Sequence, residues 1–162
     1  MNASKERFQA DDTTRVIKRD NSSVAVVLKK TLVLPILTKV VDESHKEGLL
    51  TQNDDMVDWD KLGLKNPRLW LDKKLFSEAL SDIIKGAAKK NKGEKPAVIS
   101  MKYDGANDCT ISITYHIKES EQRNMYGRSV NFSHRTAEII LQHGAKLEEN
   151  ESDNSVRIRI IF

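Results

Sequence analysis

The sequence predicts an α/β chain of the α+β kind: a two-layer sandwich in which three helices cover one face of a mixed, largely antiparallel sheet. Three observations predict it. Apolar residues recur at helical spacing in three stretches, around Ala25–Val41, Leu75–Ala87 and Ala137–Leu141. Two pairs of stretches alternate with period two across short polar turns, as hairpins do. The order strand, helix, strand, helix, strand, strand, helix, strand, strand then lets all three helices bury their stripes on one side of the sheet.

Taken in order, residues 1–14 read as a flexible tail, and a single domain spans 15–162. Arg15–Asp20 suits a short edge strand. Ser22 or Ser23 can cap a helix from Val24 to about Lys46 that Gly48 stops, and Pro35 would kink it. A break near Pro35 with a strand before it is the alternative. Leu49–Pro67 is an acidic connection whose Asp54, Asp55, Asp58 and Asp60 lack the alternation and midpoint glycine of a calcium loop. Trp59 and Trp70 are expected to pin this connection to the core.

Arg68–Leu71 reads as a strand and Asp72 as the cap of a second helix. Its stripe is Leu75, Ala79, Leu80, Ile83, Ile84 and Ala87. Lys89, Lys90 and Lys92 fall at its carboxyl end, where cations complement the helix dipole. Ala97–Tyr103 and Thr110–Ile117 form a hairpin, with Ile111, Ile113, Tyr115 and Ile117 on one face. After a charged linker, Ser133 caps a third helix whose stripe is Ala137, Ile140 and Leu141 and which Gly144 ends. Lys146–Glu149 pairs with Val156–Phe162 across the turn ESDNS.

Composition excludes several function classes. The 27 basic and 24 acidic residues leave a net charge of only +3, which argues against a dedicated nucleic-acid binder. The longest apolar runs, Val24–Leu28 and Leu32–Leu37, are far short of the ~20 residues of a membrane span. The polar amino terminus is not a secretory signal, and a lone Cys109 fits a reducing compartment, so the expected location is cytoplasmic. Cys109 is expected to pack within a strand. His45, His116, His134 and His143 are scattered without metal-ligand spacing, and His143 is assigned to the helix-ending turn with Gly144. No metal site is expected.

Two phrases carry a family likeness. LWLDKKLFSEALSDIIKGAAKK (Leu69–Lys90) is similar to a strand, Asp and helix bearing the pattern Asn-Leu-Leu-x-Asn-Ala-x-Lys. AEIILQHGAKLEENESDNSVRIRIIF (Ala137–Phe162) looks like a closing helix, a His-Gly-Gly turn and two final strands. With a hairpin between them, the chain from about Val24 to Phe162 resembles the ATP-binding domain of sensor histidine kinases and their gyrase and chaperone relatives, the GHKL or Bergerat fold.

The departures from that family pattern are informative. The resemblance implies that the second Asn holds the magnesium bridging the ATP phosphates, and that position here is Gly86. The first Asn falls on Asp82 and the lysine on Lys89, which leaves these two as the remaining nucleotide-binding candidates. An Asp-x-Gly turn that binds adenine should follow the hairpin, where this chain has Ile117, Lys118 and Glu119. The glycine-rich phosphate lid is reduced to Gly127 within MYGRSVNFS, too few glycines for close backbone approach. An adenine anchor is worth ~1.5–3 kcal/mol out of the ~8 kcal/mol of a micromolar ligand, so these losses together are expected to abolish useful ATP and magnesium binding.

The sequence therefore points to a non-catalytic, pseudo-ATPase module that docks a protein partner in signalling, with no catalytic residues, no cofactor, no membrane contact and no nucleic acid. Lys85, Lys89, Lys92, Arg157 and Arg159 are the expected contact residues. The alternative is a divergent ATP-binding histidine kinase or ATPase in which Asp82, Asp104 or Asp108 serves the metal or adenine. Weak nucleic-acid binding through the lysine-rich stretches is a third, less favoured reading.

Overall fold

The computed structural model describes residues 14–17, 24–48, 68–91, 97–103, 109–117, 132–152 and 154–162. In chain order these form β1 (Thr14–Ile17), β2 (Val26–Leu32), α1 (Val33–Lys46), β3 (Arg68–Leu71), α2 (Lys73–Lys90), β4 (Val98–Tyr103), β5 (Cys109–His116), α3 (His134–Gln142), β6 (Lys146–Ser152) and β7 (Ser155–Ile161).

The α+β sandwich is present, with its strands divided between two antiparallel sheets rather than joined in one mixed sheet. One has the order β1-β2-β3 and the other β4-β5-β7-β6. Hairpin connections account for the antiparallel pairing of β4 with β5 and of β6 with β7. Helix α3 carries the chain from β5 to the outer edge, and β7 returns to pair with β5 from Thr110↔Ile161 to His116↔Ser155. Helix α2 is central in the helical layer, packing on α1, α3 and β5.

The long first helix is the main correction. Its amino-terminal half is strand β2, pairing antiparallel with β1 and β3, and only Val33–Lys46 is helical. Val24, Val26 and Leu28 are buried while Ala25, Val27 and Lys29 are exposed, so these apolar residues act with period two. Pro35 becomes the third residue of α1. There its missing N–H would have had no intrahelical partner, so it starts the helix instead of kinking it. The cap expected at Ser22 or Ser23, residues 1–13 of the expected 1–14 tail and the 49–67 connection lie outside the described residues, while Thr14, assigned to that tail, begins β1.

The other helix ends follow the expected chemistry. Asp72 Oδ1 accepts the Leu75 N–H at 3.1 Å to cap α2, and Ser133 Oγ accepts the Thr136 N–H at 3.1 Å to cap α3. Gly48 (φ +74°) and Gly144 (φ +78°) end α1 and α3 in the left-handed region. At Gly144 the two Schellman bonds are both made: Gly144 N–H to the Leu141 carbonyl at 2.9 Å and Ala145 N–H to the Ile140 carbonyl at 3.3 Å.

The core joins Leu80, Ile83 and Ile84 of α2 to Ile111, Ile113 and Tyr115 of β5 and to Ile158 and Ile160 of β7. Phe76, absent from the expected stripe of α2, is fully buried, and Leu75 is only partly so. On α3 the buried face is Thr136, Ile139 and Ile140, whereas Leu141 is 48% exposed. This orientation presents Thr136 to α2, where its hydroxyl meets Asp82. Cys109 is buried at the start of β5, and burial pushes its thiol up to about 12, which leaves it unreactive as expected.

Candidate functional site

Asp82 sits two turns before the end of α2, on the side that faces the start of α3. Its Oδ2 accepts the Ser133 backbone N–H at 2.9 Å and the Thr136 hydroxyl at 2.7 Å. One turn earlier on α2, the Glu78 carboxylate accepts the Arg135 Nε–H at 2.5 Å, and this pairing raises the guanidinium further above its ordinary value. Since residues four apart share a helix face, Glu78 and Asp82 form one acidic edge that meets the amino-terminal turn of α3. A helix amino terminus attracts anions through free N–H groups and its dipole. Here the Asp82 carboxylate and the Ser133 cap occupy that position.

Gly86 lies one turn further along α2 and carries no side-chain donor. Among the described residues no three His, Cys, Asp or Glu side chains converge as metal ligands. The segments 104–108 and 118–131, which hold Asp104, Asp108, Lys118, Glu119 and Gly127, lie outside the described residues.

The basic candidates do not form one surface. Lys85 pairs with Glu47 across the α1–α2 contact, so its charge is already matched. Lys89 is exposed on the last turn of α2, and Lys92 lies outside the described residues. Arg157 and Arg159 are on β7, away from both. Arg157 is exposed opposite Thr114 and Asn150. Arg159 donates through Nη2 to Glu148 Oε1 at 2.6 Å, while its buried Nε finds no hydrogen-bond partner among the described residues.

His143 does more than end a helix. Its Nδ1–H donates to the Ile139 carbonyl at 2.7 Å, and its Nε2 accepts the Asp72 backbone N–H at 3.0 Å. Accepting at Nε2 fixes the neutral Nδ1–H tautomer. Burial lowers its pKa, against an opposing pull from the Ile139 carbonyl. The ring also packs on Phe76 with centroids 5.4 Å apart. The His-Gly pair was a visible sequence signal for the turn, but no local pattern pointed to a partner 71 residues earlier.

No family model matches this sequence, and neither does any curated protein. Solved structures do match. The chain is similar to Acinetobacter baumannii histidine kinase AdeS with a TM-score of 0.64 at 11% identity, over 88% of this chain and 70% of that one. It is similar to the mycobacterial sensor histidine kinase MprB with a TM-score of 0.61 at 11% identity, over 83% of this chain and 96% of that one. A structure of histidine kinase ThkA in complex with the response regulator protein TrrA matches with a TM-score of 0.62 at 12% identity, over 85% of this chain and 42% of that one. At such identities the likeness is one of fold: the chain has the histidine-kinase-like GHKL fold. Among the described residues no helix is long and apolar enough to cross a membrane.

Proposed function

We propose that this chain is a non-catalytic signalling module of the cytoplasm, a pseudo-ATPase on the histidine-kinase fold that works by docking a protein partner. The observation that carries this reading is the Asp82 carboxylate bound to Ser133 N–H and Thr136 O–H at the start of α3. An anionic phosphate placed there would meet a carboxylate in possession of the donors, and like charges repel. Gly86, at the position the resemblance assigns to the magnesium ligand, adds nothing to offset that repulsion. Among the described residues, Asp82 and Gly86 do not fit magnesium-ATP.

ThkA is solved together with a response regulator, which makes a receiver-type signalling protein the first partner to test. Two measurements decide the reading. Thermal melting with and without magnesium-ATP should give coincident curves, and a concentration-dependent rise in Tm would overturn the pseudo-ATPase part. Calorimetric titration against purified receiver domains should give saturable binding to at least one. Uniform failure across a broad panel of receiver domains would overturn the proposed partner class.

A further inference from the structure

A cleft lies near the start of α2, away from Asp82. It has a volume of about 340 Å³ and is lined by Lys30 of β2, Arg68, Leu69 and Trp70 of β3, His143 and Gly144 of the α3 turn, and Phe162. Asp72, where α2 begins, is ten residues before Asp82, on the order of 15 Å along the helix at 1.5 Å per residue. The two sites are therefore distinct, and this one stands whether or not nucleotide binds at the other.

We propose that this cleft binds a planar aromatic carboxylate. Among the described residues no acidic side chain lines it, and its cations Lys30 and Arg68 are both exposed and have no ion-pair partner there. Lys30 Nζ stands 5.4 Å from the centre of the Trp70 ring. An arginine fork receives a carboxylate through two parallel hydrogen bonds, and the lysine adds a point charge beside it. Leu69, Phe162 and the Trp70 ring supply apolar walls for a flat body. The volume is at the small end for ligand clefts, which suits a compact molecule. The cleft also faces the carboxyl end of α3, where the helix dipole is negative. That end works against any anion, and against a dianionic phosphate more than against a carboxylate, so Lys30 and Arg68 must supply the attraction.

The test uses the whole chain with naphthoate as probe and naphthamide as its neutral counterpart, followed by calorimetry and amide-resolved NMR. Naphthoate should bind saturably at one site, with shifts centred on the Trp70 indole and Gly144. Naphthamide, and naphthoate added to the Lys30→Gln/Arg68→Gln variant, should each bind about tenfold more weakly, as expected for the loss of a charge-assisted contact. The acid–amide comparison on the unaltered chain decides the matter even if the variant folds poorly. Equal affinity for the amide overturns the proposal. So does unchanged affinity in a folded variant, a shift pattern centred on Asp82, or the lack of saturation at millimolar probe.

Discussion

The backbone N–H of Asp72 donates to Nε2 of His143 at 3.0 Å, so the residue that starts α2 is held by the residue that closes α3. Asp72 is also tied elsewhere: its Oδ1 caps α2 at Leu75, and its Oδ2 accepts the Val27 N–H of β2 at 2.9 Å. One residue thus joins a helix start, a strand and a helix end.

This contact makes stability depend on pH with a definite sign. The folded pKa of His143 lies below its ordinary value of 6.5, because burial disfavours the charged ring. The unfolded chain therefore binds more protons, and the contribution present above that ordinary value is lost as pH falls through the folded value. His143→Phe should cost about 1–3 kcal/mol near neutrality by leaving the Asp72 N–H without its acceptor. The Tm gap between wild type and variant should narrow from neutral to about pH 5. A constant gap would contradict the assignment.

Asp72→Ala should cost about 1–2 kcal/mol, since it removes a helix cap together with the acceptor for Val27. Asp72→Asn should recover part of the loss through the same cap geometry. Urea titration checks both, with a lowered midpoint and an unchanged slope expected.

Asp82 and Thr136 should be energetically coupled. Thr136 is buried and its hydroxyl lies 2.7 Å from Asp82 Oδ2, so Asp82→Ala removes its charged acceptor and leaves only the Ser133 hydroxyl, 3.2 Å away. A double-mutant cycle with Thr136→Val should return a coupling of about 0.5–3 kcal/mol. Additivity would mean that the contact contributes nothing to the α2–α3 junction.

Gly144→Ala should cost about 1–2 kcal/mol from backbone strain alone. A Cβ there would meet nothing within 4 Å, so no steric clash enters. Gly144→Asn should be milder, because asparagine tolerates the left-handed region. Melting curves of the two variants separate these expectations.

Within the helical layer, Phe76→Ala should cost about 3–5 kcal/mol, because Phe76 is fully buried against His143 and Phe162. Leu141→Ala should stay within about 0.5 kcal/mol, since Leu141 is 48% exposed. Equal effects would contradict the orientation of α3.

Much of this architecture was legible in the residues alone. Asp72, Ser133, Gly48 and Gly144 mark helix ends because capping and left-handed turns depend on a few neighbouring atoms. The hairpin face of Ile111, Ile113 and Tyr115 follows from period two for the same local reason. The likeness of fold also rested on local phrases at the right separation. Val24–Leu32 was ambiguous, since Ala25, Leu28 and Leu32 fit the helical period while Val24, Val26 and Leu28 fit period two, until β1 and β3 offered their backbone hydrogen bonds. The face of α3, the partner of His143, the engagement of Asp82 and the cleft between Arg68 and Phe162 were decided by tertiary structure. Each is a meeting of groups tens of residues apart, and spacing along a chain carries no record of which distant atoms will satisfy a given donor or charge.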